Sequence, residues 1–196
     1  GEGLDQVFVK RFKELGGQIV FEESVLEGSK DLRTEVAKIK NSGAEIVYAP
    51  LYPAEAIVLS RQMKEINLAL PIFGGDMHNG EEVITSGYAD GAMYFLTKTN
   101  IPDEFVAKLH ALPGFADLKV SMPAPLGYDA AKVLINALRQ AGTDREAIKN
   151  ALAKTSIVGV SSPIIEFDQN GDLKTAVFET RIINDKKSVV FTKLDR

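Results

Sequence analysis

The segment Ile46–Glu55 reads IVYAPLYPAE, and this stretch decides the fold class. Its first four residues are an apolar run without polar alternation, which is typical of a strand that is covered on both faces of its sheet. Pro53 follows where the first turn of a helix accepts proline, because the N–H groups of that turn have no partner within the helix. A covered strand that leads directly into a helix predicts a βαβ unit and therefore a parallel sheet.

The same alternation of strand and helix continues on both sides of this segment. Strand-like segments begin near residues 18, 45, 71 and 92, with amphipathic helical patterns between them. A spacing of ~20–27 residues suits successive βαβ units. We therefore predict an α/β fold with a doubly wound parallel sheet and right-handed crossovers. The predicted strands of this region are Gln18–Val25, Ile46–Ala49, Pro71–Phe73 and Ala92–Thr97.

The pattern changes near Thr97–Pro102, where helices begin to follow one another. Two apolar runs then flank Asp168–Asp172, and the Asn-Gly pair in that segment predicts a β-hairpin. The predicted helices cover residues 102–112, 124–141 and 144–153. The apolar runs are Ile164–Phe167 and Ala176–Phe178, and a last strand is predicted at Val189–Phe191.

Composition excludes several classes of function. The 196 residues carry 23 Lys and Arg against 27 Asp and Glu, a net charge of −4, whereas a nucleic-acid-binding protein would show a basic face. The chain has no cysteine, which excludes disulfide scaffolds, cysteine-ligated zinc and thiol catalysis. No apolar run approaches the ~18 residues of a membrane span.

Motifs for cofactors and metals are missing or are better explained in another way. Gly75 and Gly80 have P-loop spacing, but Glu81-Glu82 replaces the lysine and the hydroxyl residue that would bind phosphate and magnesium. Asp168–Asp172 with Glu179 resembles a calcium loop, but its glycine is misplaced and a hairpin turn explains the segment better. We therefore expect no cofactor and no metal.

Sequence patterns that are typical of catalytic sites are missing as well. The histidines are His78 and His110, and no spacing in the chain pairs a nucleophile with a base. No Ser-x-x-Lys, Gly-x-Ser-x-Gly or His-Glu-x-x-His pattern occurs. We therefore expect a protein that is not an enzyme.

Tyr52 and Asp76 are the candidate site residues. Each follows one of two consecutive predicted strands, and in open parallel sheets ligands bind beyond the carboxyl ends of the strands. A carboxylate and a phenol at one rim suit a cation with some apolar body, such as an ammonium group. The alternative interpretation is a surface tyrosine beside a proline and an aspartate in a Gly-Gly-Asp turn.

Several stretches along the chain make the sequence similar to a known family. They are Gly1–Gly17, Ile46–Glu55, Pro71–Asp76, Gly127–Ala130 and Ile165–Asp172. With these stretches the sequence resembles the branched-chain amino-acid (Leu/Ile/Val) binding proteins, which are type I periplasmic solute-binding proteins of ABC transporters. The stretches follow one another in the order that the family shows.

The resemblance implies two α/β lobes joined by three crossing strands, with the ligand in the cleft between them. Residues 1–98 and about 173–196 resemble the second lobe. Residues 99–172 resemble the returning part of the first lobe, whose N-terminal half we expect to be absent.

The helices of residues 99–172 then lack the sheet that they would cover. We therefore expect the fragment to self-associate or to exchange segments between chains.

The resemblance also implies roles for particular residues. An acidic residue at the place of Asp76 takes the α-ammonium group of an amino acid, and a tyrosine at the place of Tyr52 helps. Met77 and His78 stand where the family has side chains that line the pocket. This pair departs from the Gly-aromatic pair that is usual there, so the side-chain specificity stays open.

These features together predict an extracytoplasmic or periplasmic solute-binding component of an ABC importer. It would bind an amino acid or a similar small solute and deliver it to a membrane permease. One alternative is the ligand-sensing domain of a receptor with the same fold. A second is a flavodoxin-like enzyme or phospho-acceptor domain with Asp76 as acceptor, although the neighbouring loops offer little acidity besides Glu27.

Overall fold

A computed structural model describes residues 2–192, and these divide into two compact units. The first unit runs to Leu96 and resumes at Phe178, and the second is Thr97–Val177. The helices are α1 (Glu2–Glu14), α2 (Arg33–Asn41), α3 (Pro53–Glu65), α4 (Glu81–Thr85), α5 (Asp103–His110), α6 (Pro123–Ala141) and α7 (Arg145–Ala153). The strands are β1 (Val47–Ala49), β2 (Ile72–Gly74), β3 (Met93–Thr97), β4 (Ser156–Ile157), β5 (Ile165–Glu166), β6 (Phe178–Asn184) and β7 (Lys187–Val190).

A five-stranded sheet in the order β1-β2-β3-β6-β7 organises the first unit. β1 runs parallel to β2, with Tyr48 opposite Phe73, and β2 runs parallel to β3. β6 and β7 form an antiparallel pair, whose two-residue turn places Asp185 and Lys186 at positive φ. The predicted α/β fold with parallel strands is therefore confirmed, and the sheet as a whole is mixed.

The core of the first unit lies on one face of this sheet. Ala49 of β1 and Ile72 of β2 are buried there together with apolar residues of α2, α3 and α4. Tyr48 points to the opposite face, because successive side chains of a strand alternate, and the ring of Phe8 from α1 stacks on it with centroids 3.9 Å apart. The sheet thus carries helices on both faces, as a doubly wound fold requires.

The strand predicted at Gln18–Val25 is wrong. The segment forms no strand, although Phe21 and Val25 pack against the core. Its β-like pattern therefore results from the burial of alternate side chains. It does not indicate that the segment pairs with another strand. Pattern alone does not distinguish these two cases, because a ladder also requires backbone hydrogen bonds to a second strand.

The second unit contains α5, α6 and α7, at the places where the periodicity predicts helices. α6 and α7 pack on each other, and β4 pairs antiparallel with β5. The buried Asp129 carboxylate of α6 accepts hydrogen bonds from the backbone N–H groups of Val160 and Ser161. This carboxylate therefore joins the helix to the loop between β4 and β5.

The predicted hairpin is correct in its turn and wrong in its returning strand. The Asp168 carboxylate accepts hydrogen bonds from the N–H groups of Asn170 and Asp172, which closes the turn within five residues. The chain therefore returns at Leu173, which bridges to Phe167, and not at Ala176–Phe178. β5 pairs with β4 instead, and Phe178 begins β6.

Within residues 2–192, we find no helix that combines the length and the hydropathy needed to cross a membrane.

Candidate functional site

A pocket of about 280 Å³ opens in the first unit beyond the carboxyl ends of β1 and β2. The loops that follow these strands form much of its wall, as expected for a ligand site in a parallel sheet. Tyr52, Asp76 and Met77, three of the four predicted site residues, line this pocket together. The remaining lining residues are Leu4, Val25, Glu27, Pro50, Leu51, Glu55 and Gly75.

Tyr52 occupies the N-cap position of α3. Its backbone is extended, with φ −68° and ψ 161°, and its carbonyl oxygen accepts the first helical hydrogen bond from Ala56 N–H at 2.9 Å. Pro53 begins the helix, where its fixed φ suits the first turn. The Tyr52 side chain makes no cap hydrogen bond and is 55% exposed, so its phenol is available to a ligand.

Asp76 begins a single 3-10 turn, Asp76–Asn79, directly after β2. The turn is closed by a hydrogen bond from His78 N–H to the Gly75 carbonyl oxygen. Both Asp76 and Met77 are exposed at the pocket. Among the described residues the Asp76 carboxylate has no hydrogen-bond or ion-pair partner, and it is therefore free to bind a cation.

His78 does not join the other three predicted site residues. It is completely buried, in a position beneath Gly74 and beside the ring of Tyr94. A 3-10 helix has about three residues per turn, so the second residue after Asp76 points away from the pocket and into the core. Neither ring nitrogen has a hydrogen-bond partner among the described residues, and burial lowers the pKa of His78 to about 4.

Acidification from pH 6.5 to pH 4 is expected to destabilise the first unit through His78. In this interval the unfolded histidine binds a proton that the folded one, with a pKa of about 4, does not. The free energy of unfolding therefore falls as the pH falls, by about 3 kcal/mol in total, and the loss is complete below pH 4. Urea denaturation between pH 7 and pH 4 measures the effect.

The variant His78→Leu provides the comparison for this experiment, because leucine has a similar volume and no titratable nitrogen. Other groups also titrate in this range, so the quantity of interest is the difference between the two pH profiles. The variant should be at least as stable at pH 7, since two unpaired buried nitrogens are removed. Identical profiles for both proteins would contradict the role of His78.

Glu55 also lines the pocket, and sequence reasoning did not single it out as a candidate site residue. The residue is only 3% exposed, and its Oε1 accepts a hydrogen bond of 2.5 Å from Gly28 N–H. Gly28 has a φ of +83°, a conformation that favours glycine. Glu55 stands in the first turn of α3, where acidic residues are common for reasons of helix stability alone. Only the folded chain shows that this glutamate reaches the loop of Gly28.

A chain of hydrogen bonds holds the turn that carries Asp76. The Tyr94 hydroxyl donates to Asn79 Oδ1 at 2.9 Å and also shares a hydrogen bond with Ser188 Oγ. Arg181 Nε donates to Ser188 Oγ at 2.6 Å. The Asp76–Asn79 turn is therefore connected through β3 to the β6–β7 pair, which restrains the position of the Asp76 backbone.

Comparison with known proteins gives a consistent family assignment. The family model described as "Periplasmic binding protein" matches residues 1–187. "Leu/Ile/Val-binding protein homolog 3" of Brucella melitensis is 26% identical over 193 residues, which are 96% of this chain and 52% of that protein. The "leucine-, isoleucine-, valine-, threonine-, and alanine-binding protein" of Pseudomonas aeruginosa is 26% identical over 185 residues, which are 91% of this chain and 48% of that protein.

Solved structures agree with this assignment. A leucine binding protein, LivK, from Thermotoga maritima superposes with a TM-score of 0.78 at 27% identity, covering 97% of this chain and 55% of that one. LivJ of Streptococcus pneumoniae, solved in complex with isoleucine, superposes with a TM-score of 0.69 at 25% identity, covering 93% and 55%. The chain thus spans about half the length of the relatives that it matches.

Proposed function

The chain belongs to the periplasmic binding protein family, and from this premise we propose that its first unit binds the ammonium group of an amino acid or similar small solute at Asp76. The family is one of solute-binding proteins, so the expectation that the chain is not an enzyme is confirmed. The family also implies an extracytoplasmic location. The identity of the solute and its delivery to an ABC permease are part of the proposal.

The unpaired Asp76 carboxylate in the pocket is the observation that carries this proposal. Asp76 lines the same pocket as Tyr52, whose phenol can donate a hydrogen bond or contact the apolar part of a ligand. Leu51 and Met77 add apolar surface nearby. A small pocket with apolar walls and one free carboxylate suits an ammonium group on an apolar body.

The mechanism we infer for the whole protein is hinge closure of two lobes around the solute, a motion known in periplasmic binding proteins. We propose that the first unit is the second lobe, residues 1–98 and 173–196, and that residues 99–172 are the returning part of the first lobe. The solute would stabilise the closed form through contacts that exist only in that form. A permease would then recognise the closed form.

The variant Asp76→Asn is expected to weaken amino-acid binding at least tenfold. Asparagine keeps the size of the side chain but removes the charge, and a hydrogen bond to a charged group contributes roughly 1.5–3 kcal/mol. Titration of the chain with L-leucine, followed through the backbone amide NMR signals of Leu51, Tyr52 and residues 75–77, measures dissociation constants even in the millimolar range.

Asp90→Asn is the matched control for this titration. Asp90 is an exposed aspartate of the same unit outside the pocket, so its substitution makes the same change in net charge. We expect its dissociation constant for leucine to equal that of the unmodified chain. If Asp76→Asn and Asp90→Asn bound leucine equally well, Asp76 would not be the ammonium site.

A further inference from the structure

The pocket of the first unit carries more negative charge than one ammonium group neutralises. Glu27, Glu55 and Asp76 all line it, and none of its ten lining residues is a lysine, arginine or histidine. These carboxylates come from three separate elements: the loop after Val25, the first turn of α3 and the turn after β2. A monoamine bound at Asp76 would leave two of the three carboxylates without a cation.

Of these three carboxylates, that of Glu55 is the one whose buried environment requires a compensating positive charge or hydrogen-bond donor. Its Oε1 is satisfied by Gly28 N–H, but its Oε2 is buried and has no hydrogen-bond partner within residues 2–192. A buried carboxylate is unfavourable unless a positive charge or hydrogen-bond donors compensate it. The N-terminal end of α3 supplies only a partial positive charge. A cation in the adjacent pocket would supply the rest.

The apolar part of the wall fits a methylene chain between two cationic groups. Leu4, Val25 and Leu51 contribute aliphatic surface to the same pocket. Long cationic side chains place their methylene groups along such surface while the charged end finds a polar partner. The exposed Asp76 and the buried Glu55 both line this pocket, which therefore offers two carboxylates to such a molecule.

We propose that this pocket selects a ligand with two cationic centres, a basic amino acid, and that Glu55 determines this preference through its charge. The inference rests on the proposed function, since the α-ammonium group of the ligand is placed at Asp76. The second cation lies toward Glu55, with Glu27 at the pocket as an additional negative charge. Oε2 of Glu55 is buried. Its negative charge therefore attracts the second cation across the atoms of the pocket wall, without a direct hydrogen bond.

Titration with L-lysine and L-norleucine tests this inference, because the two amino acids share a backbone and a four-carbon side chain and differ in the ε-ammonium group. We expect the chain to bind lysine at least tenfold more tightly than norleucine at low salt. This preference should decrease as the salt concentration rises, since it is electrostatic. NMR titration of the backbone amide signals of Leu51, Tyr52 and residues 75–77 measures both affinities.

The variant Glu55→Gln removes the charge and keeps an oxygen that can accept the hydrogen bond from Gly28 N–H. We expect its lysine affinity to fall at least tenfold, toward that of norleucine. Glu65→Gln is the matched control, because Glu65 is an exposed residue of the same helix, ten positions and about 15 Å along the axis from Glu55. This variant should keep the full preference for lysine.

The outcomes separate the two hypotheses. Equal affinities for lysine and norleucine, both reduced in Asp76→Asn, would overturn the inference and leave the proposed function intact. A preference for lysine that persists in Glu55→Gln would overturn the role of Glu55. If neither amino acid shifted the pocket signals, the proposed function would fail and the inference with it. Should Glu55→Gln not fold, the salt dependence of the lysine preference in the unmodified chain still decides whether charge selects the ligand.

Discussion

Asp129→Ala is expected to destabilise the second unit by about 3–5 kcal/mol, the largest stability effect of any substitution proposed for this chain. Asp129 is only 3% exposed. Its Oδ1 accepts a hydrogen bond of 2.9 Å from Val160 N–H, and its Oδ2 accepts bonds of 2.7 Å and 2.6 Å from Ser161 N–H and Oγ–H. Alanine removes all three charge-assisted bonds and leaves the backbone donors without their acceptor.

Urea denaturation followed by circular dichroism at 222 nm measures this loss, as a lower urea midpoint for the part of the helical signal that α5, α6 and α7 of the second unit contribute. Ser161→Ala is the graded control, because it removes only the hydroxyl bond and is expected to cost about 1 kcal/mol. Asp129→Asn keeps one acceptor oxygen and should fall between the two. A loss below about 1 kcal/mol for Asp129→Ala would show that the loop of residues 159–161 is held by other contacts.

Gly74→Ala is expected to destabilise the first unit by about 2–3 kcal/mol and to disturb the turn of Asp76. A Cβ at residue 74 would lie far inside van der Waals contact with the His78 ring. His78 is completely buried, so its ring cannot move into solvent to make room. The added methyl group must therefore displace either β2 or the Asp76–Asn79 turn that follows it.

Gly75→Ala is the control for this substitution, since a Cβ there meets only Pro50, at 3.8 Å and 3.9 Å, which is ordinary contact. We expect Gly75→Ala to change the free energy of unfolding by less than about 1 kcal/mol. The double variant Gly74→Ala, His78→Ala should be less destabilised than the two single changes together, because the second change removes the ring that the first one meets. Strictly additive effects would contradict a direct clash between residues 74 and 78.

Much of the fold could be predicted from local sequence patterns, which can be recognised without knowledge of the tertiary structure. The apolar run Ile46–Ala49 and the proline after it predicted β1 and α3, and both are present. The rule that ligands bind beyond parallel strands also predicted that Tyr52 and Asp76 share a rim, and they line one pocket. Such predictions succeed because strand ends and helix starts are encoded within a few neighbouring residues.

Other features depended on partners far apart in the chain. The Gln18–Val25 pattern could not reveal that the segment forms no ladder, because pairing is a property of two segments. His78 is adjacent to the pocket residue Met77 in sequence, yet the geometry of the 3-10 turn places its ring in the core. Adjacent positions in a tight turn point in different directions, so sequence proximity alone does not define a pocket lining.

By itself, then, the sequence determined the α/β class, the alternation of strands and helices, the family resemblance and the two strand ends that carry Tyr52 and Asp76. Tertiary structure alone decided that Glu55 contacts Gly28, twenty-seven residues earlier, and that its second oxygen is buried without a partner. The physical reason is that periodicity and capping are short-range properties of the backbone. Burial and charge compensation depend instead on which distant segments meet when the core forms.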